Sequence, residues 1–339
     1  MVFPASSMLG VPSAKMRFAA FLPGAMVLLP VAFGFALPGT ADASIGPQLS
    51  VPRAALVAGL TCSPDFAGSK KAPVLLTPAF SDANGSYSWN YMPQLAADGI
   101  PFCSISTPDG GYGDLQRTAE YVVYAVRRMS TETGRKVTLV GHQHGGLDEL
   151  WALKFWPGMA RSVSDLITLE TPHAGTTSSS GLCAGGGHCT AALRQITKGS
   201  NFLKALRPAP RPKGVAITSI TSLDDALITP QPAASTLRGG TNIVLQDVCP
   251  GRKVDHFAAL ADAVAYRLFR DARSHPGGGS AERLPETACD EQYMPSANPA
   301  FLSLTYLFLA SFYQRNLTSN DTEPQVAGYA VRGNSESGK

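Results

Sequence analysis

The chain has 339 residues, of which 44% are hydrophobic and 16% charged, with a formal net charge of +3. That is ample apolar material for one sizeable core and too little charge for a disordered chain. No stripe of Lys or Arg is present, so no nucleic-acid partner is expected.

Residues 1–43 read as an export signal. Lys15 and Arg17 are the only charges before an apolar run from Phe18 to Leu37, and Ala41-Asp42-Ala43 is a small-x-small cleavage site. Pro23, Gly24, Pro30 and Gly34 break the run, which favours a removed signal over a retained membrane anchor. Met16 is an alternative start. Secretion, extracellular or periplasmic, is therefore expected, and six cysteines suit that oxidising compartment. Cys183 and Cys189 lie close together in GLCAGGGHC and are expected to pair. Cys62, Cys103, Cys249 and Cys289 are left for two long-range bridges. Cys183, His188 and Cys189 are poorly spaced as zinc ligands, so no metal site is expected.

From about residue 73 to 270, apolar runs alternate with helical patterns. That order predicts an α/β fold, a doubly wound and mostly parallel sheet with crossover helices. Strands are expected at Val74 to Leu76, Phe102 to Ser106, Val137 to Val140, Leu166 to Leu169, Val215 to Ile220 and Ile243 to Leu245. Their Val and Ile content suits strands buried on both faces. A helix is predicted over Leu115 to Thr133, because Leu115, Ala119, Val122, Val126 and Met129 step by four and three. Asp114 is its expected N-cap and Gly134 its stop. A second helix is predicted over Asp255 to Asp271, with Ala258, Ala261, Val264 and Leu268 facing inward.

The Val137 strand runs into Gly141-His142-Gln143-His144-Gly145 and then a helical pattern. This is the frame of the nucleophile elbow, G-x-S-x-G, of α/β-hydrolases. Gly141 and Gly145 give the sharp turn its room, and Gly146 allows close helix packing. The apex, where a serine hydroxyl attacks an ester carbon, is Gln143. Acid and base should follow in that order. Asp225, in SLDDALITP, comes after the Val215 strand. His256, in VDHF, comes after the Ile243 strand at the start of the second helix. In an intact site the histidine takes the hydroxyl proton, and the aspartate orients and stabilises the imidazolium. The expected oxyanion donors are the backbone N–H groups of His144 and of Phe80, in LLTPAF.

Residues 176–213 interrupt the alternation as a Ser/Gly-rich insert with an amphipathic stretch, Leu193 to Leu206. It is either a lid over the pocket or a decorated surface loop. Ala300 to Phe312 is apolar but too short to span a bilayer and reads as a buried or pocket-lining helix. One domain, 44–315, is expected, followed by a polar tail, 316–339, read as disordered.

Taken together, LTC at Leu60 to Cys62, PVLLTPAF at Pro73 to Phe80 and GHQHGGL at Gly141 to Leu147 resemble the bacterial class 2 lipases and the Candida antarctica lipase B-like family. WALKFWP at Trp151 to Pro157, GSNFLKAL at Gly199 to Leu206, DDALITP at Asp224 to Pro230 and VDH at Val254 to His256 continue the likeness. It covers roughly Leu60 to Cys289. The resemblance implies a cofactor-free carboxylic-ester hydrolase, with Asp225 and His256 as acid and base and Phe80 and His144 as oxyanion donors. It also implies the bridges Cys62–Cys103 and Cys249–Cys289. Lipid or small-molecule esters would be the ligands, with transient contact at a lipid interface and a monomeric state.

Three departures stand out. The family has serine at position 143, usually glutamine at 144, and tends to have glycine at 79, where this chain has Ala79. The last change spares the backbone N–H. The first removes the nucleophile, because the Gln143 amide nitrogen is delocalised into its carbonyl. Its side chain is long enough to fill the acyl site and to reach His256. The alternatives are Ser81, in the oxyanion loop, and Ser130 and Ser162, expected on distant helix ends, and none sits on an elbow. The expectation is a weak or inactive lipase-like protein that keeps its pocket. The alternative is an active ester hydrolase using a triad variant.

Overall fold

A computed structural model describes residues 46–64, 66–80, 83–184, 189–208, 210, 212–304 and 322–331. The expected export signal, Ser81, His188 and most of the apolar run from Ala300 to Phe312 lie outside these residues. Chain order is α1 (Arg53–Ala58), β1 (Leu60–Cys62), β2 (Val74–Thr77), α2 (Ala83–Tyr87), α3 (Tyr91–Ala97), β3 (Phe102–Ile105) and α4 (Leu115–Thr133). It continues with β4 (Val137–His142), α5 (His144–Phe155), β5 (Val163–Leu169), α6 (Ser178–Ala184), α7 (Ala191–Ile196) and α8 (Asn201–Leu206). The last elements are β6 (Ala216–Thr221), β7 (Thr241–Val244), α9 (Leu245–Val248) and α10 (Ala263–Ser274).

The strands form one sheet in the order β1-β3-β2-β4-β5-β6-β7. All neighbours are parallel except β1 against β3. Successive side chains of a strand point to opposite faces, and here both faces are covered. Leu75, Leu139 and Leu166 pack with Leu115 and Val126 of α4 and Leu147 and Trp151 of α5. Leu76, Val140 and Ile167 pack with Leu95 of α3 and Leu268 of α10. The continuous apolar runs of β2, β4 and β5 are therefore the residues of two cores read alternately.

The predicted α4 keeps its ends. The Asp114 carboxylate accepts the Gln116 N–H at 3.0 Å, and Gly134 closes the helix at φ 65°. Sequence reading passed over β1 as a strand, since three residues are too few to show a period. Cys62 lies opposite Cys103 in the β1–β3 register and is bonded to it. The other disulfides are Cys183–Cys189 and Cys249–Cys289. The two long bridges close separations of 41 and 40 residues, each contributing on the order of 3–4 kcal/mol by restricting the unfolded chain.

Three expectations need correction. The second helix begins at Ala263, not Asp255. Asp255 instead caps a 3-10 turn, Ala258–Leu260, by accepting the Phe257 and Ala258 N–H groups. Asp262 then holds extended backbone (ψ 132°), pairs with Tyr293, and caps α10 by accepting the Ala265 N–H at 2.9 Å. So His256 sits in a turn rather than at a helix start.

The stretch Leu193 to Leu206 is not one segment but two helices, because Ser200 starts α8 by accepting the Leu203 N–H at 3.1 Å. Ile196, Phe202, Leu203 and Leu206 are buried in the main core, with Phe202 stacked on Trp151 at 4.5 Å. Residues 191–206 are thus built into the body of the domain.

The tail also departs from its disordered reading, for residues 322–331 are docked. Glu323 accepts the Asn201 and Phe202 N–H groups at 2.8 and 2.7 Å, at the orphan-donor end of α8. Gln116 bonds the Gln325 carbonyl and the Ala327 N–H. The Tyr329 hydroxyl accepts from Trp151 Nε1 at 3.0 Å, and its ring lies 5.4 Å from that of Trp156. A polar average hid one aromatic anchor.

Candidate active site

Gln143 ends β4 and starts α5 with φ 51° and ψ −123°, a backbone state that L-residues rarely adopt. The turn is held by the Gln143 N–H, which donates to the Leu169 carbonyl at 2.8 Å, and by small neighbours. A Cβ on Gly145 would strike the Thr77 carbonyl, and one on Gly141 would strike the Gly146 nitrogen. The elbow predicted from spacing is therefore present, with glutamine at its apex. Gln143 is buried, its Oε1 has no hydrogen-bond partner, and among the described residues no bond joins it to His256.

Asp225 and His256 meet. His256 Nδ1 lies 2.8 Å from Asp225 Oδ2, and both residues are 3% exposed. Asp225 Oδ1 accepts the Leu227 and Ile228 N–H groups at 2.7 and 2.9 Å. Burial pushes the Asp225 carboxyl up, but the His256 imidazole and its other donors outweigh that and hold it below its ordinary value. An ionised Asp225 therefore fixes Nδ1–H on His256 and leaves Nε2 with a lone pair. His142, the residue before Gln143, brings this pair to the elbow. Its Nε2–H donates to the His256 carbonyl at 3.1 Å, and the two rings sit 4.6 Å apart. Burial, then the adjacent His256, pushes His142 well below the ordinary imidazole value, so it stays neutral.

His144 heads α5, so its N–H is one of the orphan donors of the first turn. Its ring is buried against Phe80, with ring centroids 4.8 Å apart. Phe80 stacks in turn on Tyr112 at 4.6 Å. The His144 side chain points away from the apex, with Nδ1 3.2 Å from Asp148 Oδ2. Burial pushes His144 down to about 3 and Asp148 well above its ordinary value. Both shifts favour the neutral forms of the pair.

Of the alternative serines, Ser130 is in the last turns of α4, and Ser162 ends the 3-10 turn that precedes β5. Both precede strand starts, at the end of the sheet opposite the elbow.

Sequence reading missed the buried acids around this centre. Glu149 is fully buried on α5 and accepts from Thr77 Oγ1 at 2.8 Å. Glu170 follows β5 with φ 49° and accepts from Thr221 Oγ1 at 2.9 Å. The available signal was α5 itself, whose apolar residues show no single face, as in a helix buried all round. Asp148 and Glu149 on such a helix have no route to water.

Burial pushes Glu149 well above 4.5, so it folds as the neutral acid. A raised folded value makes its contribution complete at low pH and lost as pH climbs from 4.5 through the folded value. Glu149→Gln, which cannot ionise, should lose less thermal stability than the parent as pH rises above about 5. Parallel melting-temperature profiles would refute this reading.

A parallel sheet with an elbow after β4 and an Asp–His pair from later strand ends defines the α/β-hydrolase class. The chain is 30% identical over 254 residues to lipase B of Pseudozyma antarctica, a match covering 72% of this chain and 74% of that protein. It belongs to the lipase B family. The crystal structure of Aspergillus fumigatus lipase B superposes with a TM-score of 0.76 at 28% identity, covering 84% of this chain and 73% of that one. No protein-family model matches the chain.

Proposed function

We propose that this is an exported lipase-B-type protein that binds a carboxylic ester or acyl ligand and hydrolyses it slowly or not at all. One observation carries the reading: the apex of the elbow is an amide. An acyl-enzyme needs a nucleophile with an available lone pair, which the Gln143 amide nitrogen lacks, and His256 has no hydroxyl at 143 to deprotonate. In this reading Asp225 and His256 are the retained acid and base, and the N–H groups of Phe80 and His144 bind the ester carbonyl. Without a nucleophile, such a site retains roughly 10³–10⁴-fold acceleration over water. Residues 1–43 direct export and are then removed, the protein acts as a monomer, and contact with a lipid interface is transient. No cofactor takes part.

The hydrogen-bonded Asp225–His256 pair favours one second reading, a working carboxylic-ester hydrolase. There His256 Nε2 takes a proton from water, and the hydroxide attacks the ester directly. Purified protein incubated with a fluorophosphonate probe and with short p-nitrophenyl esters separates the two. We expect no labelled serine and no turnover beyond a trace. Stoichiometric labelling of any serine overturns the first reading, and brisk turnover abolished by His256→Ala establishes the second.

A further inference from the structure

Glu170 has no part in the scheme above, yet it is fully buried beside Asp225, on a backbone at φ 49°. Its Oε2 accepts from Thr221 Oγ1 at 2.9 Å and Gln231 Nε2 at 3.4 Å. Its Oε1 is buried and meets no donor. The Glu170 N–H donates to the Ile220 carbonyl at 3.0 Å, which sets its side chain where β6 runs into the loop of Asp225, and there it meets the aspartate, whose own oxygens already accept from His256, Leu227 and Ile228. Two carboxyl groups in contact, away from water, cannot both be ionised. A proton held on one of them and shared with the other relieves that repulsion.

We propose that Glu170 is a positioning residue: its carboxyl group keeps a proton and donates it to Asp225, holding the aspartate in place and tempering its pull on His256. This rests on reading Asp225 and His256 as the acid–base pair. The direction of titration agrees with the geometry. Burial, then the Asp225 charge, pushes Glu170 well above its ordinary value, while Asp225 is held down. The titratable groups facing the pair are His256 on Asp225 and, beyond it, His142 on β4. Among the described residues, neither carboxyl forms an ion pair with Lys or Arg. The strained φ at Glu170 is the cost of turning a side chain at the end of β5 toward the loop after β6.

The test is NMR titration of the isotopically labelled full chain, which needs no turnover. The Glu170 carboxyl carbon, assigned by its disappearance in Glu170→Gln, should stay protonated from about pH 4 to about pH 7. Ionisation in the ordinary carboxylate range overturns the proposal. In Glu170→Leu the donor is gone, Asp225 draws the imidazolium more strongly, and the His256 midpoint should rise by roughly one pH unit. Glu170→Gln keeps an N–H for Asp225 and should return the midpoint to that of the parent. A purely structural Glu170 would alter melting and leave the midpoint alike in all three, which also overturns it. If Glu170→Leu does not fold, the parent and Glu170→Gln still decide. Failure of the acid–base reading shows elsewhere, as activity of Gln143→Ser that survives loss of His256.

Discussion

Gln143→Ser is expected to raise hydrolysis of a short p-nitrophenyl ester by roughly 100-fold or more over the parent chain. The reason lies in what is already in place. The elbow backbone adopts its strained turn with glutamine present, and the Asp225–His256 bond is formed at 2.8 Å. The orphan N–H of His144 heads α5 regardless of the side chain at 143. Serine would shorten that side chain, open the space that the buried amide occupies, and supply the hydroxyl that His256 can deprotonate. Loss of a single nucleophile in serine hydrolases costs about 10⁶-fold in kcat, so even partial recovery is easily measured. The gain should vanish when His256→Ala is added, and the serine variant alone should take up a fluorophosphonate label. A serine variant as inert as its parent would mean that the apex and the dyad do not face a common acyl carbon.

Arg252→Ala should lower folding stability by about 3–5 kcal/mol, read from denaturant unfolding. Arg252 and Asp262 form a buried ion pair, Nε to Oδ2 at 2.6 Å, with side chains 3% and 1% exposed. The same guanidinium donates to the Glu291 and Gln292 carbonyls at 2.8 Å each, beside the Cys249–Cys289 bridge. Removing it leaves a buried carboxylate and two carbonyls without their donor. The cost is the unpaired charge rather than the worth of the pair. Adding Asp262→Asn should therefore recover part of the loss, since asparagine carries no charge and still caps α10. The consequence reaches the site, because the loop from Arg252 to Asp262 carries His256. A loss below about 1 kcal/mol would mean that water screens the pair.

The elbow turn and α4 with both its caps were legible because each rests on local rules. A turn too tight for a Cβ needs glycines at set offsets, and a half-buried helix repeats its apolar residues every three or four positions. Those same rules mislead where a long-range partner outweighs them. Ala258, Ala261, Val264 and Leu268 keep helical spacing, yet Asp262, tied to Arg252 and Tyr293, delays the helix to Ala263. The stretch after Thr318 looks polar on average, yet Tyr329 and Glu323 find partners on α5 and α8.

From its sequence alone this chain determined the sheet-and-helix alternation and the tight glycine-flanked turn with glutamine at its apex. Those follow from period, volume and bond chemistry within short windows. The tertiary structure decided which acids would stay neutral. Asp148, Glu149 and Glu170 read like ordinary polar residues, and only packing around α5 and the end of β5 removes the water that would ionise them. Charge state depends on the dielectric and partners brought together from distant parts of the chain, and no local pattern records them.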